Sequence, residues 1–544
     1  MLNIITALLC RPLFFLKLKT MVIKTLEEYA TDKTLISLLV KERVKCRKRN
    51  RSEKYHKLDK KCDLENLTNN RKKLSRMMPP RYKWVRLSRR AKLPNNAIDT
   101  EKNAEKALLL TIKRDRKKQK EGEHFDYLDE LDSFVSKIKE RVVSGNVALQ
   151  SPKLIPILKK CVNGKDNKKI VICRPLSIYL KLEDKIILSL TSRYITRYFD
   201  KFLHDNILSF RKARDFNGKK GHVTDFNDGI ELIKSFHASH MEEPIYVSDC
   251  DIKKFYDIIP HQVVRDCFSR MFDSSTLTEE GKTQVMRVLN AYLDSYNFYT
   301  NAWQICEQNE GVFHKIRKRL KDRNNQNIYK IEWVDKLFEL PEEDYLHRGV
   351  PQGGSLSLIV ANVVLNDVDR VFTEKDDKNR LFIRFCDDMI LMHTDNEECC
   401  RLMQKYTDSL TEHGLYYHDF ENVADCSKRH FWEIKSHLPF LWGDGEGNSN
   451  RYIGFLGYEM RRNGKLRLRK SNIKHFEEKL RRMRYALRRK KKENPENFEN
   501  YKKDKQEKLI NSVRFYTAFT EDDYMQGMQF KYMRKITLKR TLKL

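Results

Sequence analysis

The sequence predicts an α+β fold, and three observations carry that reading. Two short apolar runs, Leu381-Phe382-Ile383 and Met389-Ile390-Leu391-Met392, flank Phe385-Cys386-Asp387-Asp388. They read as two buried strands folded back through a tight turn. Residues 356–368 read as a helix that starts just after Gly353-Gly354. From Ser471 onward, Ile473, Phe476, Leu480, Met483 and Leu487 recur at alternating three- and four-residue steps, the apolar stripe of an amphipathic helix.

In chain order, residues 1–16 are apolar but interrupted by Arg11, with no basic leader region and no small-residue cleavage site. They read as a buried helix, or as an upstream extension of the reading frame with Met21 as the start. Residues 1–130 form a basic N-terminal extension, expected to be mainly helical, with helix pieces at 108–112 and 127–138. Tyr55, Tyr82 and Trp84 stand there among cations. They are either packing aromatics on solvated helices or platforms for unpaired bases. Residues 131–245 make a second unit and 246–465 a strand-bearing third, with an insertion near 275–345 whose polar middle is 315–327. Residues 466–544 are helical and basic, with Arg481, Arg482, Arg484 and residues 488–492 on the faces that the stripe leaves open.

Composition agrees with a polyanion-binding protein. There are 108 Lys+Arg against 76 Asp+Glu, a formal charge of +32, and such an excess attracts nucleic acid through counterion release. No stretch is long and apolar enough to span a membrane. The 12 Cys are scattered, with Cys399-Cys400 the only close pair and no Cys-x-x-Cys, which speaks against structural zinc and for reduced thiols in a cytoplasmic protein.

Asp387 and Asp388 are adjacent carboxylates at a predicted strand turn. Side by side they repel and lose hydration, an arrangement that a divalent cation relieves. A solvated hairpin turn is the alternative. A further acid lies upstream in Tyr246-Val247-Ser248-Asp249-Cys250-Asp251-Ile252-Lys253-Lys254-Phe255-Tyr256-Asp257, a mostly apolar strand followed by an aromatic pair. Carboxylates from two neighbouring strands suit two-metal phosphoryl transfer, with ions about 3.5–4 Å apart. Asp249 and Asp251 share a strand face and Asp257 is close, so position alone does not choose the ligand.

Three blocks in order carry a resemblance. The segment around Asp251 resembles motif A of reverse transcriptases. Gly349-Val350-Pro351-Gln352-Gly353-Gly354-Ser355-Leu356-Ser357 is similar to the Pro-Gln-Gly motif of group II intron, retron and related bacterial enzymes. Residues 385–388 resemble the Tyr-x-Asp-Asp box with Phe for Tyr. Matches run from about residue 174 to about 464. The resemblance implies a right-hand polymerase, with fingers at 131–245, a palm with an antiparallel sheet at 246–465 and a helical thumb at 466–544. It implies an RNA-directed DNA polymerase that takes deoxynucleotides, an RNA template and a DNA product, and uses two Mg²⁺ ions, for which Mn²⁺ substitutes.

Carried over by position, Asp251, Asp387 and Asp388 are the catalytic, metal-binding acids, joined in some relatives by a backbone carbonyl like that of Ile252. Tyr256 falls at the aromatic gate beneath the incoming sugar, Gln352 at the nucleotide and template contact, and Gly353 with Gly354 where backbone approaches nucleic acid. A core aromatic and a plain turn are the respective alternatives. Arg174, in Arg174-Pro175-Leu176-Ser177-Ile178, and Arg211, in Ser209-Phe210-Arg211, match fingers segments and are candidates to grip the triphosphate. Arg384 is expected to support the turn rather than catalyse. Gly414-Leu415-Tyr416-Tyr417-His418 resembles the start of motif D, but no Lys follows before Lys428, so the proton donor is unassigned, with His418 one substitute. Phe455-Leu456-Gly457-Tyr458 matches the primer-grip hairpin.

Neither an RNase H acid set nor an appended endonuclease pattern is recognisable, and the chain looks most like the stand-alone defence-associated reverse transcriptases of bacteria. That placement implies antiphage defence and a cognate non-coding RNA, with a homo-oligomer assembled on RNA as one arrangement. A group II intron-like maturase, an RNA-dependent RNA polymerase and a polymerase primed from a protein hydroxyl are the other readings.

Overall fold

In a computed structural model of the chain, the described residues are 23–46, 61–92, 98–163, 169–303, 329–332, 342–373, 376–425, 430–443, 446–493, 495–496, 498–499, 501–502 and 505. The expected start at Met21, Tyr55, the polar stretch 315–327 and most of the region beyond 493 lie outside them.

The chain opens with helices α1 (Leu26–Tyr29), α2 (Asp32–Lys45), α3 (Lys61–Arg76), α4 (Thr100–Lys120) and α5 (Asp126–Val143). Thr25 caps α1 through a reciprocal pair with Glu28, and the Thr31 hydroxyl accepts from the Thr34 N–H at the start of α2, which satisfies donors that a helix start leaves open. These helices are not a solvated appendage. Leu35, Leu39, Leu108, Ile112, Leu131 and Ile138 join one core cluster with Cys250, Met389 and Leu391 of the main sheet. Helix α5 also runs unbroken across residue 130, the expected edge of the extension.

Strands β1 (Lys153–Asn163) and β2 (Lys169–Ile178) pair antiparallel. Helix α6 (Leu182–Phe199), strands β3 (Arg214–Phe216) and β4 (Lys219–His222), and helix α7 (Phe226–Ser239) follow. Then come β5 (Tyr246–Asp251), α8 (Phe255–Ile258), α9 (His261–Asp273) and α10 (Glu279–Asp294). Val285, Val288, Leu289, Tyr292 and Leu293 of α10 are buried in the main core. The interval 275–345 therefore begins with a core helix, a difference from an insertion. Beyond it lie β6 (Tyr329–Glu332), parallel to β2, then α11 (Glu342–Leu346) and α12 (Ser357–Val368). Apolar residues wrap most of α12 because nearly all of it is buried, with Asn366 and Asp367 partly open near its end.

Strands β7 (Arg380–Phe385) and β8 (Asp388–His393) form a hairpin, and α13 (Asn396–Glu412) leads to β9 (Phe420–Glu421), β10 (Ser436–Trp442) and β11 (Ser449–Asn450). These make one sheet of order β11-β10-β5-β8-β7, with β9 beside β10. Strand period divides its faces: Met389 and Leu391 enter the main core, whereas Ile390 and Met392 enter a second core. The second core also holds a smaller sheet, β12 (Tyr452–Phe455), β13 (Tyr458–Arg461) and β14 (Leu466–Leu468). Helix α14 (Lys470–Glu493) packs there through Phe476 and Leu480, with Ile473 and Met483 partly buried. The fold is α+β, with an antiparallel core to its main sheet. No described helix is long and apolar enough to cross a membrane.

An ion-pair hub ties α9, α12 and the end of α13 together. Asp367 accepts from Arg270 at 2.6 Å and lies 3.2 Å from His413, with Cys267 at 3.8 Å. Cys267, Asp367 and His413 are the one described trio of ligand side chains within 4.8 Å of one another. Arg270 holds the place a cation would take. Burial alone would raise the Asp367 carboxyl, but His413, Arg270 and Arg370 draw it down to about 2. Because the folded carboxyl is more acidic than the unfolded one, this stability is present above pH 4 and is lost as pH falls toward 2. Asp367→Asn is expected to cost about 2 kcal/mol at pH 7 in denaturant melts, a difference that shrinks through that acid window.

Candidate active site

The site is built from strand ends. Asp251 closes β5 and Asp388 opens β8, and the antiparallel register sets them opposite each other. Asp387 stands in the turn that leads into β8. Cys386 takes φ 61°, so the turn carries left-handed backbone on a residue with a side chain, a strained arrangement typical of over-determined sites.

Buried neighbours hold that turn. The Cys386 N–H donates to the Ser209 hydroxyl at 2.9 Å, and Asn362 donates to the Ser209 carbonyl at 2.8 Å. Arg384, fully buried, donates to the Asp369 carboxylate at 2.6 Å and to the Cys386 carbonyl at 2.9 Å. Burial pushes Asp369 up to about 6 against the pull of Arg384. Arg384 is thus the support expected of it.

A recess opens before the acids, lined by Asp249, Asp251, Asp388, Lys435, His437 and Arg469 among others. Surrounding protein shields Asp388 and, with the charges of Asp387 and Asp251, pushes its carboxyl up to about 7; Arg469 opposes this. The Asp388 side chain nevertheless opens to solvent on the recess side, and water there moderates the shift. Asp387 is raised as well, by burial first and Asp251 next. Oxygen donors whose charges repel one another are a set that hard divalent cations such as Mg²⁺ or Mn²⁺ fit. Their carboxylate oxygens are less tightly gathered than the Asp367 trio.

The structure separates the three upstream acids that spacing left equivalent. The Asp249 carboxylate is taken by His437, with its ring nitrogen at 2.6 Å and its N–H at 3.0 Å. Asp257 is buried and accepts from the Gln352 amide at 2.7 Å. Asp251 faces the recess and carries Lys435 at 2.6 Å, with His418 at 4.0 Å. Its carbonyl accepts from the His418 N–H at 3.0 Å, and Ile252 bridges to Tyr417. Lys435 is not among the residues that the sequence singles out, because it lies well past the motif D start near which the resemblance puts a lysine. Nothing in the run Lys435-Ser436-His437-Leu438-Pro439-Phe440 marks the lysine as a site residue.

Tyr256 is packed edge-to-face on Phe255 at 5.3 Å, and its carbonyl accepts from the Val350 N–H at 2.8 Å. Burial raises its hydroxyl pKa, with the nearby Cys386 and Asp387 adding to the rise. Gln352 sits beside it through Asp257, and its carbonyl accepts from the Ser177 N–H at 2.8 Å. A Cβ on Gly353 (φ 88°) would meet Leu176 at 2.5 Å, so here glycine serves the turn and its packing on β2. Arg174 lies two residues before Leu176 on the same strand face and is exposed.

Arg211 differs from expectation. Its side chain is buried, and its donors go to the Asp200 carboxylate at 2.9 Å and to the carbonyls of His204, Ile207, Leu203 and Asp200. A guanidinium satisfied on every nitrogen clamps the 200–208 segment and leaves no donor for a phosphate. The fragment Phe455-Leu456-Gly457-Tyr458 forms the β12–β13 hairpin turn, with Leu456 and Gly457 at φ 50° and 88°.

No curated protein matches the chain. Among solved structures it is similar to apo telomerase from Candida tropicalis, at 13% identity and a TM-score of 0.33, over 72% of this chain and 62% of that one. A form of that telomerase truncated from its C-terminal domain aligns over 58% and 54% at 13% identity and the same TM-score, 0.33. Telomerase from Candida albicans in complex with a fragment of telomeric RNA aligns over 77% and 63%, at 15% identity and 0.29. The chain spans less than two thirds of the length of each. Residues 308–420 match the family described as reverse transcriptase (RNA-dependent DNA polymerase), a span that contains the Pro-Gln-Gly-Gly and Phe-Cys-Asp-Asp boxes but not Asp251. The matched segment is thus similar to a reverse transcriptase domain over residues 308–420.

Proposed function

We propose that this chain adds deoxynucleotides to a 3′-hydroxyl on an RNA template, at the site formed by Asp251, Asp387 and Asp388. The observation that carries the proposal is the strand register that sets Asp251 opposite Asp388 at the mouth of a recess. Asp251, Asp387 and Asp388 would hold divalent ions, whose chemistry there would be to activate the attacking hydroxyl and neutralise the leaving pyrophosphate. The Ile252 carbonyl, next in the chain to Asp251, is a further candidate oxygen. Lys435 and His418 are the proton-bearing groups nearest Asp251 and are the candidates to protonate the leaving group.

Gln352, held by Asp257 and Ser177, is the contact to the incoming nucleotide in this reading, and exposed Arg174 is the guanidinium for its phosphates. The hairpin at 455–458 and helix α14 serve as primer grip and thumb, beside fingers and palm as the sequence divides them. The resemblance to bacterial defence enzymes supports a cognate non-coding RNA as template and an antiphage role. Sequencing of nucleic acid that co-purifies from the native locus tests that part, and recovery of no enriched RNA contradicts it.

Tyr256 is the gate in this reading, because its ring is packed against Phe255 next to Asp387 and cannot yield to a 2′-hydroxyl. Tyr256→Ala is expected to cut the preference for deoxynucleotides over ribonucleotides by roughly a hundredfold, measured as the ratio of kcat/KM for the two. An unchanged ratio removes the gate assignment.

A further inference from the structure

Residues 80–92 cross the surface of α4 as an anchored strap. Pro79 is buried at its start, and the indole of Trp84 donates to the Pro79 carbonyl at 2.9 Å while packing on the main core. The Val85 N–H donates to Thr111 of α4 at 2.9 Å, and Arg114 reaches the Lys83 carbonyl at 3.4 Å. Asn103 brackets Ala91 with two hydrogen bonds, at 2.7 and 2.9 Å. Between these anchors a single 3₁₀ turn, Arg81–Lys83, holds Tyr82 outward at 84% exposure, the most exposed large apolar side chain among the described residues.

Along its length the strap presents Arg81, Lys83, Arg86, Arg89 and Arg90, all exposed, with no acid between residues 80 and 92. None of the five forms an ion pair among the described residues. Uncompensated cations at this density face a polyanion. An aromatic ring held clear of its own core meets a flat apolar partner, and in an unpaired strand the base provides one. Fixing the turn from both sides removes the ordering cost of presenting the ring. No residue of the strap lines the acid recess.

We propose that residues 80–92 form a second binding site, for single-stranded nucleic acid, where Tyr82 stacks on an unpaired base and the flanking cations hold the phosphates. The site stands apart from polymerisation and is tested by binding alone. The full chain is titrated, by fluorescence anisotropy over a salt series, with labelled oligouridine, oligodeoxythymidine and a duplex, each of about 20 nucleotides, a length that covers a strap-sized site.

Tyr82→Ala is expected to weaken binding of single strands about tenfold and to leave duplex binding as it was, whereas Tyr82→Phe keeps the parent affinity. Arg89→Ala with Arg90→Ala is expected to reduce the slope of log affinity against log salt by about 1.4 for single strands. Cross-linking of 4-thiouridine RNA is expected to mark the strap peptide, and to do so equally in Asp388→Asn protein, so that loss of synthesis and loss of this site are read separately. The two single-stranded probes tell RNA from DNA as the source. Parent affinity in Tyr82→Ala with no strap cross-link overturns the proposal. So does a shift of Tyr82→Ala to a smaller species in sedimentation at unchanged RNA affinity, which would make the strap a contact between copies.

Discussion

Asp388→Asn is expected to abolish nucleotide incorporation while making the metal-free protein more stable. Removing a carboxylate that holds divalent ions forfeits several kcal/mol of transition-state stabilisation, or roughly a 10³-fold fall in kcat. The same carboxylate is a liability to the fold. Its pKa is pushed up to about 7 by shielding and by Asp387 and Asp251, so its ionised form is disfavoured in the folded state.

Folding stability therefore falls as pH rises from about 4 through 7, and the penalty is fully present above that window. Asp388→Asn lifts it. In chelator at pH 8 the variant is expected to gain about 1 kcal/mol, a figure kept small because solvent on the open side of Asp388 screens the repulsion. At pH 5 the gain largely disappears. Mg²⁺ is expected to raise the melting temperature of the parent through mass action and to do much less for the variant. Thermal melts across pH with and without Mg²⁺ check both signs.

Arg384→Met is expected to be the most destabilising single change near the site. Arg384 and Asp369 are buried with side-chain exposures of 0% each, joined at 2.6 Å. Taking away one partner leaves an uncompensated buried carboxylate, which costs about 3–5 kcal/mol. It also strips the donor from the Cys386 carbonyl in a turn already held in left-handed backbone. Adding Asp369→Leu is expected to restore most of the stability, because an apolar pair of similar volume has no charge to desolvate. Activity is expected to stay low in the double variant, since nothing then holds the Cys386 carbonyl. Equilibrium denaturation and primer extension on the single and double variants separate these two roles.

Much of this site was legible because its signals are local. The hairpin at residues 385–388 follows from two apolar runs about a turn, and the α14 stripe from its period. Other features depend on contacts far apart in sequence. Lys435 and Asp251 are separated by 184 positions, and no spacing rule joins them. Arg211 reads the same whether it grips phosphate or clamps its own loop; only the carbonyls of residues 200–207 around it decide. Helices α2 and α4 looked like solvated, charged segments because their core residues, such as Leu39 and Leu108, are diluted by Lys and Arg. The charges are satisfied at the surface while the leucines reach the shared core.

Whether this site copies RNA into DNA is read from the sequence of the product made on a defined template. Purified protein is given an RNA of known sequence, an annealed primer, all eight nucleotides and Mg²⁺, with the Asp387→Ala, Asp388→Ala protein run beside it. Deoxynucleotide extensions complementary to the template are expected, with the parent alone. Ribonucleotide products, extensions unrelated to the template, or equal synthesis by the double variant would contradict such copying.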